Sequence, residues 1–262
     1  MKKSITFLSL LFIFNSNINA QMSGVVTYKF VDWFGKPTTF KLYFDAEQSK
    51  YVGNKGEKGR INKVGETVLT KDNFSEVTTV NKTIFTYFID PEGDCVYKNW
   101  KDSVLILREI QQQYPLIVKE TRLPQINWTL IDEKKKIGKF LCQKATTTFR
   151  GRKYDVWFTS EIPIPTGPWK LHGLPGLILE AQDETKKYTY LFEGIEIPLN
   201  DKSELSNLPK TGDIVAISDY DKEVKKREAH YNRALVSKAA ERGTTISVTP
   251  HNNPPQELNF DK

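Results

Sequence analysis

The stretch Gly167–Asp183 reads GPWKLHGLPGLILEAQD and joins a dense turn to the start of a strand. Pro175-Gly176 suits a type II turn, because proline presets a φ of about −65° at the second position of the turn and glycine accepts the positive φ at the third. From Leu177 onward, alternate residues are apolar, which is the period of a strand with one buried face. The stretch therefore predicts a turn-rich connection that leads into a core strand.

Short β-branched and aromatic runs recur along the rest of the chain, with turn residues between them. This rhythm is typical of an all-β domain. The predicted strands are 24–31, 38–44, 75–80, 83–90, 94–100, 103–110, 116–122, 127–132, 139–150, 153–160, 177–182 and 187–195. The Gly- and Lys-rich run 54–65 is predicted as a loop, and Asn81-Lys82 as a turn.

The C-terminal part changes period. An apolar stripe recurs at helical spacing among charged residues over 219–243, which predicts an amphipathic helix. The tail 244–262 is predicted to be extended. We therefore expect a mainly β (α+β) fold, with one antiparallel domain over 21–218 and the helix packed on it. Two architectures satisfy this pattern: a curved sheet of the lipoprotein-carrier half-barrel type, wrapped around a helix, or a β-sandwich.

The first twenty residues read as a signal peptide. Lys2 and Lys3 precede an apolar run, and Ile18-Asn19-Ala20 offers a cleavage site before Gln21. An uncleaved N-terminal anchor is the alternative. No later run approaches the length of a membrane helix, so we expect no integral membrane segment in a mature, periplasmic or secreted chain.

The chain contains two cysteines, Cys95 and Cys142. Export to an oxidising compartment would favour a disulfide between them. Two free thiols or a metal pair are the alternatives, although neither cysteine has a neighbour at metal-ligand spacing.

Gly173, Leu174, Pro175, Gly176, Leu177 and Ile178 spell GLPGLI, and the chain resembles the GLPGLI family of secreted proteins from Bacteroidetes-type bacteria. The resemblance is dense over 123–193 and looser over most of the mature chain. It is carried around the hexapeptide by Trp128, Ile137, Cys142-Gln143-Lys144-Ala145, Gly151-Arg152, Val156-Trp157-Phe158-Thr159, Glu161-Ile162-Pro163 and Gly167-Pro168-Trp169-Lys170. It implies export but no particular activity, because the family has no agreed biochemical function.

Signals of catalysis are sparse in this sequence. It contains no zinc-protease helix, nucleophile elbow or phosphate-binding loop, and its three histidines are far apart. His172 is the best single candidate, either as a ligand or proton donor partnered by Glu180 or Asp183, or as a ring that bonds a backbone group and packs on Trp169. We expect no cofactor and no metal.

Aromatic residues near the motif form a second candidate set. Trp157, Trp169 and Tyr188, together with His172, are predicted to line a pocket or its rim, with ordinary core packing as the alternative. The motif itself is interpreted as a structural connection that places the Leu177 strand in the core, or alternatively as the rim of a pocket.

The formal net charge is +6, and basic residues are interspersed with acidic ones, so no basic stripe suggests nucleic acid. The predicted function is therefore a non-enzymatic binding or accessory protein. Its partner would be a hydrophobic ligand, a peptide or an outer-membrane or other envelope protein. An envelope hydrolase and a purely structural envelope factor are the alternatives.

Overall fold

The computed structural model describes residues 22–32, 35, 37–71, 77–111 and 114–241. The predicted signal peptide 1–20 and the predicted tail 244–262 lie outside these residues. The elements are β1 (Gly24–Val31), β2 (Pro37–Phe44), β3 (Gln48–Gly53), β4 (Gly56–Lys71), β5 (Val77–Asp90), β6 (Asp94–Asn99), β7 (Val104–Gln111), β8 (Tyr114–Glu120), β9 (Thr129–Ile137), β10 (Phe140–Phe149), β11 (Arg152–Thr159), β12 (Leu177–Asp183), β13 (Thr189–Glu196), α1 (Ser203–Ser206), β14 (Asp213–Val215) and α2 (Tyr220–Glu241).

Twelve of the strands form one sheet in the order β14-β8-β7-β6-β3-β2-β1-β13-β12-β11-β10-β9. Every pair in it is antiparallel except β14 with β8, which is parallel. The sheet is curved and unclosed, and most of the described chain is β. The predicted curved antiparallel sheet is confirmed, and the sandwich alternative is wrong.

The connection from β8 to β9 explains why the sheet must curve. These strands lie ten steps apart in the sheet, which would place them about 48 Å apart if the sheet were flat. Residues 121–128 join them, and a chain of this length spans only about 30 Å when fully extended. The two ends of the sheet must therefore approach each other.

Cross-strand pairing defines one continuous apolar surface, here called the inner face. Residues directly opposite in an antiparallel pair point to the same side, so a single row can be followed from β1 to β8. The row contains Val26, Leu42, Tyr51, Val96, Leu107 and Val118, each at most 5% exposed. Full burial of each such side chain contributes roughly 1.5–3 kcal/mol. This row is the centre of the core.

Two predictions about residues 48–90 are wrong. Most of the predicted loop 54–65 belongs to β4, and β5 continues through Asn81-Lys82 as one strand. Asn81 and Lys82 pair with Thr67 and Glu66, so the ladder continues through residues that locally favour a turn. β4 and β5 follow β3 and precede β6 in the chain, and they form a separate two-stranded sheet, whereas β3 and β6 pair directly with each other.

The predicted disulfide is also wrong, because Cys95 and Cys142 are both free and buried. Cys95 lies on β6 and Cys142 on β10, with six other strands between them in the order of the sheet. A disulfide requires Cα atoms within about 7 Å of each other. The two cysteines therefore lie on strands that are not neighbours in the sheet, an arrangement that no local pattern in the sequence reveals.

The predicted C-terminal helix is present as α2, which follows a 3-10 turn at Ile217–Asp219. Its first turns contact the sheet: Tyr220 joins the core, and Val224 packs against it. Arg227 Nη2 donates a hydrogen bond of 2.6 Å to Asp213 Oδ2 on β14. Within the described residues, no helix has the length and apolarity needed to cross a bilayer.

Candidate functional site

The connection between β11 and β12, residues 160–176, contains most of the GLPGLI hexapeptide and is called here the motif connection. It doubles back on itself through backbone hydrogen bonds from Leu177 N to the Ile162 carbonyl and from Gly173 N to the Pro165 carbonyl, at 3.0 and 3.1 Å. Its large apolar side chains are buried, namely those of Ile162, Ile164, Trp169, Leu171 and Leu174. The connection is therefore part of the core although it lies outside the regular strands.

The two glycines of the hexapeptide meet different requirements. Gly173 has a φ of +92°, which only glycine adopts without strain. Gly176 has no such φ; a Cβ at this position would lie 2.1 Å from the carbonyl oxygen of Thr159. The expected type II turn is wrong, because Gly176 N bonds the Leu174 carbonyl at 2.8 Å, which closes a three-residue turn around Pro175. Gly176 is required for close backbone packing.

The apolar residues of the hexapeptide fix the connection in the core. Leu174 is 2% exposed, and Leu177 and Ile178 are fully buried. The Ile178 carbonyl accepts a hydrogen bond from the hydroxyl of Tyr28 on β1, at 2.5 Å. The hexapeptide thus combines two backbone requirements with three core side chains, which supports its interpretation as a structural motif.

A polar row on the inner face holds the connection from the opposite half of the sheet. Ser49 on β3, Lys98 on β6 and Glu120 on β8 lie in one cross-strand row, with Leu105 of β7 between the last two. The Ser49 hydroxyl lies 2.8 Å from that of Thr166. We refer to Ser49, Lys98 and Glu120 as the anchor row. None of the three residues was predicted from the sequence.

Lys98 is the central anchor. Its fully buried Nζ donates hydrogen bonds to the carbonyl oxygens of Gly167, Trp169 and Leu171, at 2.7, 2.9 and 3.0 Å. Three acceptors match the three donors of an ammonium group. Burial nevertheless lowers the pKa of Lys98 well below its ordinary value, since a charged group is costly to desolvate. A lysine at an inward position of a strand, two residues from Val96, was the signal available in the sequence.

Glu120 links the connection to the β10–β11 turn. It accepts hydrogen bonds from Lys170 Nζ, at 2.9 Å, and from Arg150. Trp169, next to Lys170, packs edge-on against Phe149 with ring centroids 5.8 Å apart. Removing one partner from such a buried ionic group is costly, because the remaining charge is left without compensation.

His172 lies where the motif connection meets residues 121–128. Its Nδ1 is 2.7 Å from the Lys170 carbonyl, and its own carbonyl accepts a bond from Trp128 Nε1 at 2.9 Å. Burial, and secondarily the nearby charge of Lys98, lower the pKa of His172 to about 4. The ring is therefore neutral at pH 7 and engaged with the backbone.

The other residues predicted to line a pocket do not converge on His172. Trp157 lies on β11 with Lys135 Nζ 4.5 Å from its ring, on the face opposite to Tyr154, which contacts Trp169. Tyr188 is buried, and the Arg152 guanidinium lies 4.8 Å from its ring. Of the four residues, only Trp169 and His172 share one local structure. In the described part of the chain, no cluster of three or more His, Cys, Asp or Glu residues is arranged to hold a metal ion.

Residues 150–180 match a family model described as a protein of unknown function (Porph_ging). This segment contains the β10–β11 turn, β11, the motif connection and the start of β12. The match supports the resemblance to the GLPGLI family. It also coincides with the residues that the anchor row holds.

No curated protein matches the chain. Among solved structures, two crystal forms of PNGF-II resemble it at 13% and 14% identity, with TM-scores of 0.49 and 0.50. The likeness covers 79% of this chain but only 33% and 34% of PNGF-II, so the chain spans about a third of that protein. An uncharacterized conserved protein from Thermus thermophilus matches at 10% identity and a TM-score of 0.39, covering 76% of this chain and 93% of that one. At these identities the likeness concerns the fold alone.

Proposed function

We propose that this chain is an exported, non-enzymatic binding or accessory protein that recognises a protein or polymer of the cell envelope through its outer surface. The observation that carries the proposal is the occupancy of the inner face. The anchor row holds the motif connection on the concave side of the sheet, where a half-barrel carrier would hold its ligand.

The same observation argues against the hydrophobic-ligand form of this function. A carrier needs an accessible apolar cavity. Here the apolar row of the inner face is at most 5% exposed, and Lys98 reaches three carbonyl groups of the motif connection. A ligand in this space would have to displace the connection and leave those buried groups unpaired, which is costly. A partner recognised at the surface requires no such displacement.

The non-enzymatic part of the proposal rests on how the titratable groups near the motif are used. Glu120 is engaged by Arg150 and Lys170, and the His172 ring bonds a backbone carbonyl. A general base must reach a proton of a bound substrate. The described bonds of Glu120 and His172 instead hold the motif connection in place.

Native mass spectrometry of the protein purified from the medium or periplasm of an exporting host tests the proposal. We expect the mass of the chain without a small ligand, as one or two copies, or that of a complex with another macromolecule. A constant adduct of lipid mass, lost on denaturation, would contradict the proposal and restore the carrier function. The denatured mass would also test the predicted cleavage after Ala20.

A further inference from the structure

We propose that β9 is an interface through which two copies of this chain pair edge to edge, which extends the sheet across a two-fold axis. β9 is the last strand of the sheet, and β10 is its neighbour within the described residues. Six of the nine residues of β9 are exposed, all of them between Thr129 and Lys136. The backbone groups on its outer side therefore face away from the sheet, as in any edge strand.

The order of charges along β9 favours a second copy as the partner. The strand reads TLIDEKKKI, with the acidic pair Asp132-Glu133 followed by Lys134, Lys135 and Lys136. An antiparallel copy presents the reverse order. In a register centred on Lys134, Asp132 lies opposite Lys136 of the second copy and Glu133 lies opposite Lys135, and the two-fold axis repeats each pair.

β9 has features that prevent an edge strand from pairing with just any other strand, so its partner must be matched to it. Lysines and bulges on edge strands disfavour indiscriminate pairing, and β9 carries three lysines and a register shift at Asp132 and Glu133. Within one chain, Glu133 Oε1 lies 3.7 Å from Lys144 Nζ, and Lys135 Nζ lies 2.5 Å from Glu180 Oε2. Glu133 and Lys135 would therefore interact both with these residues and with the second copy. Asp132 and Lys136 are exposed, and their contact with the second copy therefore carries the pairing.

Exposed apolar side chains next to this edge add area that a second copy would cover. Leu130 on β9 and Leu141 on β10 are 52% and 51% exposed. Leu130 pairs with Ala145, and Leu141 pairs with Lys136, so both leucines lie on the face that carries Lys136. One unfavourable contact is expected in this register, between the two Lys134 side chains at the axis.

Sedimentation velocity over a range of protein concentrations tests the proposal. The wild-type chain should shift from monomer to dimer as concentration rises. Lys136→Asp should weaken the dimer about tenfold or more, because two attractive pairs become repulsive. The double variant Asp132→Lys with Lys136→Asp should restore the wild-type dimer, and Lys134→Thr should strengthen it. Lys41→Asp, at an exposed lysine on β2, is the matched control and should leave the dimer dissociation constant unchanged.

Two results would overturn the proposal. One is a wild-type chain that sediments as a monomer at every concentration. The other is a charge-exchanged double variant that melts like the wild type but does not dimerise. The register has an independent test: Lys134→Cys should form a disulfide between copies under mild oxidation, whereas Lys41→Cys should not. Equal cross-linking of the two variants would exclude the axis at Lys134.

Discussion

Lys98 on β6 donates a hydrogen bond of 2.9 Å to the carbonyl oxygen of Trp169, a buried residue with a φ of +50°. A non-glycine residue in this left-handed conformation costs on the order of 1–3 kcal/mol, so the surrounding structure must hold it there. Lys98 does so from the far half of the sheet, together with Ser49 and Glu120. The motif connection is thus a long-range element of the core.

Replacing Lys98 with methionine should lower the free energy of unfolding by about 3 kcal/mol. The change leaves three buried carbonyl groups without their donor, and each unsatisfied group costs about 1–3 kcal/mol before relaxation. Chemical denaturation measures the effect. Lys41→Met, at an exposed position on β2, is the control and should stay within about 0.5 kcal/mol of wild type. Equal effects of the two substitutions would show that Lys98 does not anchor the connection.

The glycines of the motif should differ from a glycine elsewhere in the sheet. Gly176→Ala should destabilise by several kcal/mol, since the added Cβ would lie 2.1 Å from the Thr159 carbonyl oxygen. Gly173→Ala should cost about 1–2 kcal/mol through its positive φ. Gly194→Ala on β13 is the matched control, because its Cβ would meet nothing within 4 Å. Thermal unfolding of the three variants measures their relative stabilities. A Gly176 variant as stable as the Gly194 variant would contradict this prediction.

The low pKa of His172 should make stability depend on pH. A base whose pKa is depressed in the folded state, here to about 4, contributes stability that is full above the unfolded value of about 6.5 and is lost as pH falls towards 4. Between these limits the wild type should lose on the order of 2 kcal/mol more than His172→Asn. Unfolding measured at several pH values provides the comparison, and parallel profiles would contradict the assignment.

Both cysteines should be free and unreactive in the native protein. Burial raises the pKa of Cys95 to about 12 and that of Cys142 to about 11, so neither forms a thiolate at neutral pH. A thiol reagent should label neither cysteine in buffer and both in denaturant, without prior reduction. Labelling in denaturant that requires a reductant would show that the two are bonded after all.

The local pattern of the sequence predicted most of the fold. Short β-branched and aromatic runs identified strands such as β1 and β11, alternating apolar residues identified β12, and the helical stripe identified α2. β3, which reads QSKYVG, was missed because both of its faces are buried and it shows no alternation of polar and apolar residues. β5 was divided at Asn81-Lys82, where pairing with β4 overrides the local turn preference.

The contacts around the motif were less predictable, because they join residues distant in sequence. Ser49 and Thr166 are 117 positions apart, and Lys98 and Trp169 are 71 apart. Short-range patterns carry no information on which strands of a sheet face one connection. The role of Gly176 was misassigned for the same reason, since its requirement comes from the Thr159 carbonyl and not from its own φ.

The most direct test of the central claim is a disulfide between the anchor row and the motif connection. The Ser49 and Thr166 hydroxyl oxygens lie 2.8 Å apart, so the double variant Ser49→Cys with Thr166→Cys should form a bond in the folded protein. The bond would close a loop of more than a hundred residues and should raise the free energy of unfolding by up to about 4 kcal/mol. The oxidised double variant should then contain two free thiols, those of Cys95 and Cys142, when thiols are counted in denaturant. Four free thiols would show that the motif connection does not lie on the inner face.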